Sequence, residues 1–128
     1  MIVVDCSLVV DALTQRDLTE ARARLAARRL HAPTLIDYEV ASALRGLVLA
    51  HALSAPRAQD ALVDYLDLGV RRHPPTRALL TQAWELRDRM TAHDASYVVL
   101  ARALGASLWT LDKRLARAAS GVVDVCVP

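Results

Sequence analysis

The sequence predicts an α/β fold, a three-layer sandwich in which a central, mostly parallel sheet is flanked by helices. Three observations lead there. Short β-branched or apolar runs, Ile2-Val3-Val4 first among them, alternate along the chain with segments of helical period. Strands separated by helices pair in parallel through right-handed crossovers. The 128 residues are 54% hydrophobic with a net charge of +2, which suits one well-filled core and is unlike a disordered chain.

Ile2-Val3-Val4 reads as a buried strand ending at Asp5. Ser7 to Leu13 follows as a helix with Leu8, Val9, Ala12 and Leu13 on one side. Leu18 to Leu30 is a second helix, with Leu18, Ala21 and Leu25 at helical spacing and Arg22, Arg24, Arg28 and Arg29 crowding toward its C-terminal half, where they complement the dipole. His31 to Thr34 is a short strand passing into a turn. Leu35 to His51 is a long helix carrying only Asp37, Glu39 and Arg45 as charges, so it is enclosed or packs on a partner. Ala55 to Leu68 is another helix, stopped by Gly69. Val70 to His73 is an edge strand ended by Pro74-Pro75. Thr76 to Met90 is helical, Asp94 opens the next helix, and Gly105 ends it. Ala106 to Leu111 is a strand, Asp112 to Ala119 a helix and Val122 to Val127 a last strand. No linker, repeat or low-complexity tract divides residues 1–128, so one domain is expected.

Several chemistries are excluded by what is missing. The four glycines, at 46, 69, 105 and 121, are too scattered for a dinucleotide or phosphate loop, and neither G-x-S-x-G nor H-E-x-x-H occurs. His31, His51, His73 and His93 fall in separate segments, and two cysteines, Cys6 and Cys126, make no disulfide framework or four-ligand zinc site. No apolar run approaches the ~20 residues of a membrane span, and the start meets an acid without a basic leader. A cytoplasmic protein is expected, its chemistry built from carboxylates, arginines and hydroxyls.

Ligands of parallel sheets bind outside the carboxyl ends of the strands. Four acids are predicted to reach that edge. Asp5 closes the first strand and Asp112 a later one, while Asp94 begins a helix and Glu39 lies in the first turns of another. Each has a plain alternative. Asp is a favoured helix N-cap, which suits Asp5, Asp94 and Asp112; Glu39, beside the small residues Ser42, Ala43 and Gly46, needs a partner that an Arg would supply. Clustered carboxylates repel, and all-oxygen ligands select a hard cation, Mg²⁺ or Mn²⁺. Such an ion activates water and stabilises a phosphoryl oxygen, so the set points to phosphodiester hydrolysis. Ser7 and Thr110, each two residues from Asp5 or Asp112, are placed to orient those carboxylates. Helix capping and β-propensity account for these two hydroxyls equally well.

Taken together, these segments resemble a known family. Val3-Val4-Asp5-Cys6-Ser7 is similar to the opening of PIN-domain ribonucleases. Leu35-Ile36-Asp37-Tyr38-Glu39-Val40-Ala41 is similar to the segment with the family's helical glutamate. Ala83-Trp84-Glu85-Leu86-Arg87 with Ala92-His93-Asp94-Ala95-Ser96-Tyr97, and Leu104 to Asp112 with Lys113-Arg114-Leu115-Ala116, resemble the blocks of VapC-type toxins. The likeness runs in order along the whole chain. It implies a PIN-like fold over residues 1–128 and a metal-dependent endoribonuclease toxin of a type II toxin–antitoxin pair, homodimeric and inhibited by a VapB-type antitoxin. By the resemblance Asp5, Glu39, Asp94 and Asp112 are the acidic quartet that binds Mg²⁺ or Mn²⁺, with Ser7 and Thr110 supporting it. His93 is a departure, since many relatives place Tyr there.

Arg87, Lys113 and Arg114, with Arg89 and Arg117, lie near the last two acids and are candidates to track an RNA backbone; a solvated face paired with Glu85 and Asp88 is the alternative. Five aromatics are too few for a broad stacking platform, which favours a folded RNA cut at one accessible loop. The apolar helices Leu8 to Leu13 and Leu35 to Ala50 are either core or docking surfaces for a partner or second protomer. A competing reading is a PIN-like RNA-binding or regulatory module without catalysis. An aspartyl phosphatase fits less well, because the position two residues after Asp5 is Ser7. The small net charge predicts that RNA binding depends on the metal.

Overall fold

The computed structural model describes residues 1–15 and 18–128, with side chains throughout except those of Leu18 and Thr19. Along the chain run β1 (Ile2–Val4), α1 (Cys6–Thr14), α2 (Leu18–Ala26), β2 (Leu30–Pro33), α3 (Ile36–Leu49), α4 (Ala55–Asp67), β3 (Arg71–His73), α5 (Arg77–Glu85), α6 (Ala92–Leu104), β4 (Ser107–Trp109), α7 (Lys113–Ala119) and β5 (Val125–Cys126). The five strands form one sheet in the order β3-β2-β1-β4-β5, and every pairing is parallel. Ile2 lies opposite Leu30 on one side and Ser107 on the other, which puts β1 at the centre.

That centre explains the β-branched opening. Ile2, Val3 and Val4 are all buried, as a strand covered on both faces requires. On one face α6 lies against β1, β2 and β4, with α5 packed on it. Its Ala95 and the run Tyr97 to Ala101 are buried, so this helix is apolar nearly all round. The other helical layer joins α1 to α2, α3 and α4, and α3 contributes Ile36, Val40 and Leu44 at one-turn spacing. The chain moves outward from β1 through β2 to β3, then returns to the opposite side at β4. The sheet therefore has its switch point between β1 and β4, where parallel sheets open a crevice at the strands' carboxyl ends.

Caps set the helix starts. Side chains of Asp5, Ser54, Thr76, Thr91 and Asp112 accept backbone N–H bonds at the starts of α1, α4, α5, α6 and α7. Gly105, at φ 62°, ends α6 in the left-handed conformation that lets Ala106 turn into β4. A polar tie crosses the helical layer to the sheet's edge: Asp37 accepts from Tyr65 Oη (2.5 Å) and Arg72 Nε (2.6 Å). Burial pushes the Asp37 carboxyl up, but those two hydrogen bonds and the Arg72 charge outweigh it and hold it below its ordinary value.

Three expectations change. The second helix stops at Ala26 rather than Leu30, because Leu30 belongs to β2 and pairs with Ile2. Arg28 and Arg29 thus leave the helix dipole; Arg28 stacks its guanidinium 4.3 Å over the Trp109 ring. Of the stripe expected on this helix, Leu25 is buried, while the Leu18 side chain lies outside the described residues. Secondly, α5 ends at Glu85, not Met90. Bonds of i→i−3 type from Leu86, Arg87 and Arg89 tighten the chain, Leu86 and Met90 pin it to the core, and the extended Thr91 reverses it. Thirdly, the last two strands contract to Ser107–Trp109 and Val125–Cys126, β4 matching the three residues of β1. Among the described residues no helix is long and apolar enough to cross a membrane.

Candidate active site at the carboxyl edge of the sheet

Asp5 stands at the switch point, 4% exposed, immediately after β1. Its Oδ1 caps α1 through Leu8 N (3.1 Å) and lies 2.8 Å from Ser7 Oγ; its Oδ2 accepts from Thr110 Oγ1 (2.5 Å) and lies 2.9 Å from Ser7 Oγ. Burial pushes the Asp5 carboxyl above its ordinary value; the bonds from Thr110, Ser7 and Leu8 work against this, and the Asp112 charge adds to it. Capping and a site role are therefore compatible in this one residue.

The two hydroxyls join the ends of adjacent strands. Thr110, fully buried, donates to Asp5 and accepts from Asp112 N (2.9 Å). Ser7 donates to Asp5, accepts from Leu111 N (3.1 Å), and lies 3.3 Å from Thr110 Oγ1. Neither is a helix cap. Together they hold the turn that carries Asp112 against the turn that carries Asp5. Asp112 itself caps α7 with Oδ1, to Arg114 N (2.9 Å) and Leu115 N (3.1 Å), leaving Oδ2 toward the Arg114 guanidinium at 3.6 Å.

Glu39 enters from the first turns of α3 and is paired with a tyrosine rather than an arginine. Tyr97 Oη donates to Glu39 Oε1 at 2.5 Å. Burial raises the Glu39 carboxyl above its ordinary value; Tyr97 and the nearby His93 oppose this, while the charges of Asp5 and Asp94 add to it. The same neighbourhood silences Cys6. Burial, with the Glu39 and Asp5 charges, pushes its thiol up to about 12, so no thiolate forms at neutral pH.

Asp94 is not the cap of α6. Thr91 takes that position, its hydroxyl accepting from Asp94 N at 3.2 Å, and the Asp94 carboxylate is left facing inward. Arg114 Nη2 lies 3.1 Å from Asp94 Oδ2, yet that oxygen is buried without an aligned hydrogen-bond partner. Arg114 thus stands between Asp94 and Asp112 as the local counter-charge.

Asp5, Glu39, Asp94 and Asp112 are so brought into mutual electrostatic reach, Glu39 with Asp5 and Asp94, and Asp5 with Asp112. Among the described residues, however, no three His, Cys, Asp or Glu side chains converge closely enough to hold a metal ion. Of the basic candidates, Arg114 borders the acids and Lys113 is exposed beside Asp112. Arg87 is turned elsewhere: it stacks 4.9 Å over Trp84 and bonds Trp84 O. Sequence reasoning gives Tyr97 no role of its own and names it only within the block that resembles VapC-type toxins. Its place three residues after Asp94, on the same helical face, is the signal that marks it.

Known proteins share this arrangement of chain. A PIN domain model matches residues 2–121. The chain is 44% identical over 115 residues to VapC ribonuclease Mb0985 of Mycobacterium bovis, covering 90% of this chain and 88% of that one. It is 43% identical over 119 residues to ribonuclease VapC3 of Mycobacterium tuberculosis, covering 91% and 86%. In three dimensions it superposes on PAE2754 from Pyrobaculum aerophilum with a TM-score of 0.73 at 24% identity, over 97% of this chain and 81% of that one. The Mycobacterium tuberculosis VapC20 structure, described as a sarcin–ricin loop cleaving toxin, gives 0.64 at 20% identity over 92% and 95%. With kinship running along nearly the whole chain, this protein belongs to the PIN-domain family, among close relatives of the mycobacterial VapC ribonucleases.

Proposed function

We propose that the chain, as a single PIN domain over residues 1–128, is a divalent-metal-dependent endoribonuclease and the toxin of a type II pair. One observation supports this reading: near the carboxyl edge of the sheet, Glu39 feels the charges of Asp5 and Asp94, and Asp5 feels that of Asp112. Burying like charges together is costly unless a cation compensates them. The residues fit a hard divalent cation, Mg²⁺ or Mn²⁺. Their donors are all oxygen, and Asp94 Oδ2 is buried with no aligned hydrogen-bond partner, held only by the Arg114 charge at 3.1 Å. Asp5, Glu39, Asp94 and Asp112 are the residues to hold it. Bound there, the ion supplies Lewis acidity toward water and toward the phosphate.

The chain's own groups do the rest. Thr110 and Ser7 orient Asp5 and tie it to the Asp112 turn, and Tyr97 orients Glu39. Arg114 is suited to bind a phosphate oxygen once the ion takes over the neutralisation of Asp94 and Asp112, with Lys113 adding a point charge beside it. The relatives named VapC ribonuclease support RNA as substrate and a VapB-type antitoxin as partner, and we propose a homodimer with them.

Purified protein is expected to cleave RNA with Mg²⁺ or Mn²⁺ and to stop with EDTA or Asp5→Asn. Cleavage that survives both treatments overturns the reading. The competing reading, an RNA-binding module without catalysis, draws on the absence, among the described residues, of three His, Cys, Asp or Glu side chains close enough to hold a metal ion. It requires that RNA be bound but left intact at saturating Mn²⁺.

A further inference from the structure

Tyr38 is placed where a soluble protein gains nothing from an aromatic ring. The other two tyrosines are buried and hydrogen-bonded to acids, Tyr65 to Asp37 and Tyr97 to Glu39. Tyr38 is 83% exposed, one residue before Glu39 on α3. It is not on a featureless surface. Tyr38, Glu39, Ser42 and Leu35 line an open groove of about 550 Å³ together with Cys6, the residue after Asp5, and the exposed His93, the residue before Asp94. Two rings thus line the same groove as the Glu39 carboxylate. Leu35 and His93 continue into a neighbouring, more apolar cavity of about 230 Å³.

We propose that Tyr38 and His93 wall a subsite that takes one unpaired nucleobase beside the bond being cut, with the Tyr38 ring stacking on its face. The inference rests on the endoribonuclease reading and adds to it how substrate is gripped. A phosphate drawn to the carboxylate edge leaves its attached nucleotide within the groove, and a base offers a π-face that any exposed aromatic can stack on. The groove has room for a base and its ribose, while Ser42 and His93 supply hydrogen-bonding groups for the edge. A single ring at this position recognises one splayed base, as RNA loops present, without the extended platform that the chain's five aromatics cannot build.

The test uses the full unsubstituted chain with Ca²⁺ in place of Mg²⁺ or Mn²⁺, so that the carboxylates keep a divalent ion while RNA is bound and not cut. Fluorescently labelled hexamers of uridylate, cytidylate and adenylate are titrated by anisotropy, each with and without a single abasic position walked along it. Tyr38→Ala is expected to weaken binding roughly 5- to 150-fold, the range of one base–aromatic stack, and Tyr38→Phe to bind as the parent does. With the abasic site at one register, Tyr38→Ala is expected to cost nothing further. His93→Ala is expected to weaken binding less and at the same register. Both residues are exposed, so their replacement leaves the fold intact, which a thermal melt checks. If the parent binds the hexamers but Tyr38→Ala binds equally well, the subsite is wrong and the endoribonuclease reading stands. If Tyr38→Ala instead weakens only a co-purifying antitoxin, the groove belongs to a protein partner. If the parent binds none of the hexamers the subsite is wrong, and if it also cleaves no RNA in Mn²⁺ the endoribonuclease reading falls with it.

Discussion

Glu39→Gln is expected to lower RNA cleavage by roughly a thousandfold or more while making the metal-free protein more stable at neutral pH. Removing one carboxylate from a site that holds a divalent cation forfeits several kcal/mol of charge stabilisation in the transition state, and each 1.36 kcal/mol is tenfold in rate. The fold should tolerate the change, because Gln keeps the carbonyl oxygen to which Tyr97 donates at 2.5 Å. Stability moves the other way. Burial, with the Asp5 and Asp94 charges, holds the folded Glu39 carboxyl above its ordinary value of 4.5. As pH rises through that ordinary value the unfolded chain loses the proton first, so folding is progressively disfavoured until the folded carboxyl also ionises. Above that window the penalty is complete, and Gln does not carry it. Single-turnover cleavage rates and thermal melts from about pH 4 to pH 8 check both halves. A variant that cleaves within tenfold of the parent would remove Glu39 from the site. One that melts lower at neutral pH would contradict the electrostatic cost assigned to it.

Thr110→Val is expected to have the second largest effect, and through a different route. The side chain is fully buried, and valine fills the same space. What is lost is a donor to Asp5 Oδ2 at 2.5 Å and an acceptor for Asp112 N at 2.9 Å. A buried N–H left without a partner costs about 1–3 kcal/mol. Ligand carboxylates deprived of their supporting hydrogen bond typically lose roughly 10- to 100-fold in metal affinity or activity. Denaturant melts should show the destabilisation and metal titration the weakened site, with Thr110→Ser restoring most of both. Parental stability together with parental metal affinity in Thr110→Val would show that the hydroxyl only fills space.

The elements legible in the sequence are those governed by short-range rules. A β-branched run followed by Asp reads as a buried strand with Asp5 at its carboxyl end, and β1 is that strand, central in the sheet. Gly105 marks the end of α6 because the left-handed backbone there suits glycine. Asp5 directly follows β1 as expected, whereas Asp112 lies three residues beyond the shortened β4 and caps α7. Choices that depend on competition between neighbours were not legible. Thr91 and Asp94 are both good caps, and only the tertiary turn held by Leu86 and Met90 selects Thr91 and turns the Asp94 carboxylate inward. Long-range partners were hidden as well. Glu39 needed one, and nothing local says that it is Tyr97, 58 residues away, rather than an arginine. The exposure of Tyr38, against the burial of Tyr65 and Tyr97, depends on how α3 is rolled against the core, which periodicity alone leaves open to within a residue.

The most direct measurement is a calorimetric titration of Mn²⁺ into the parent protein and into Asp5→Asn, Glu39→Gln, Asp94→Asn and Asp112→Asn. The parent is expected to bind the ion and to gain thermal stability with it, by about 2.7 kcal/mol when the free ion stands at a hundred times its Kd. Each variant is expected to bind far more weakly and to lose that gain. A parent that takes up no divalent ion, or four variants that bind it as the parent does, would contradict the assignment of these carboxylates to one metal site.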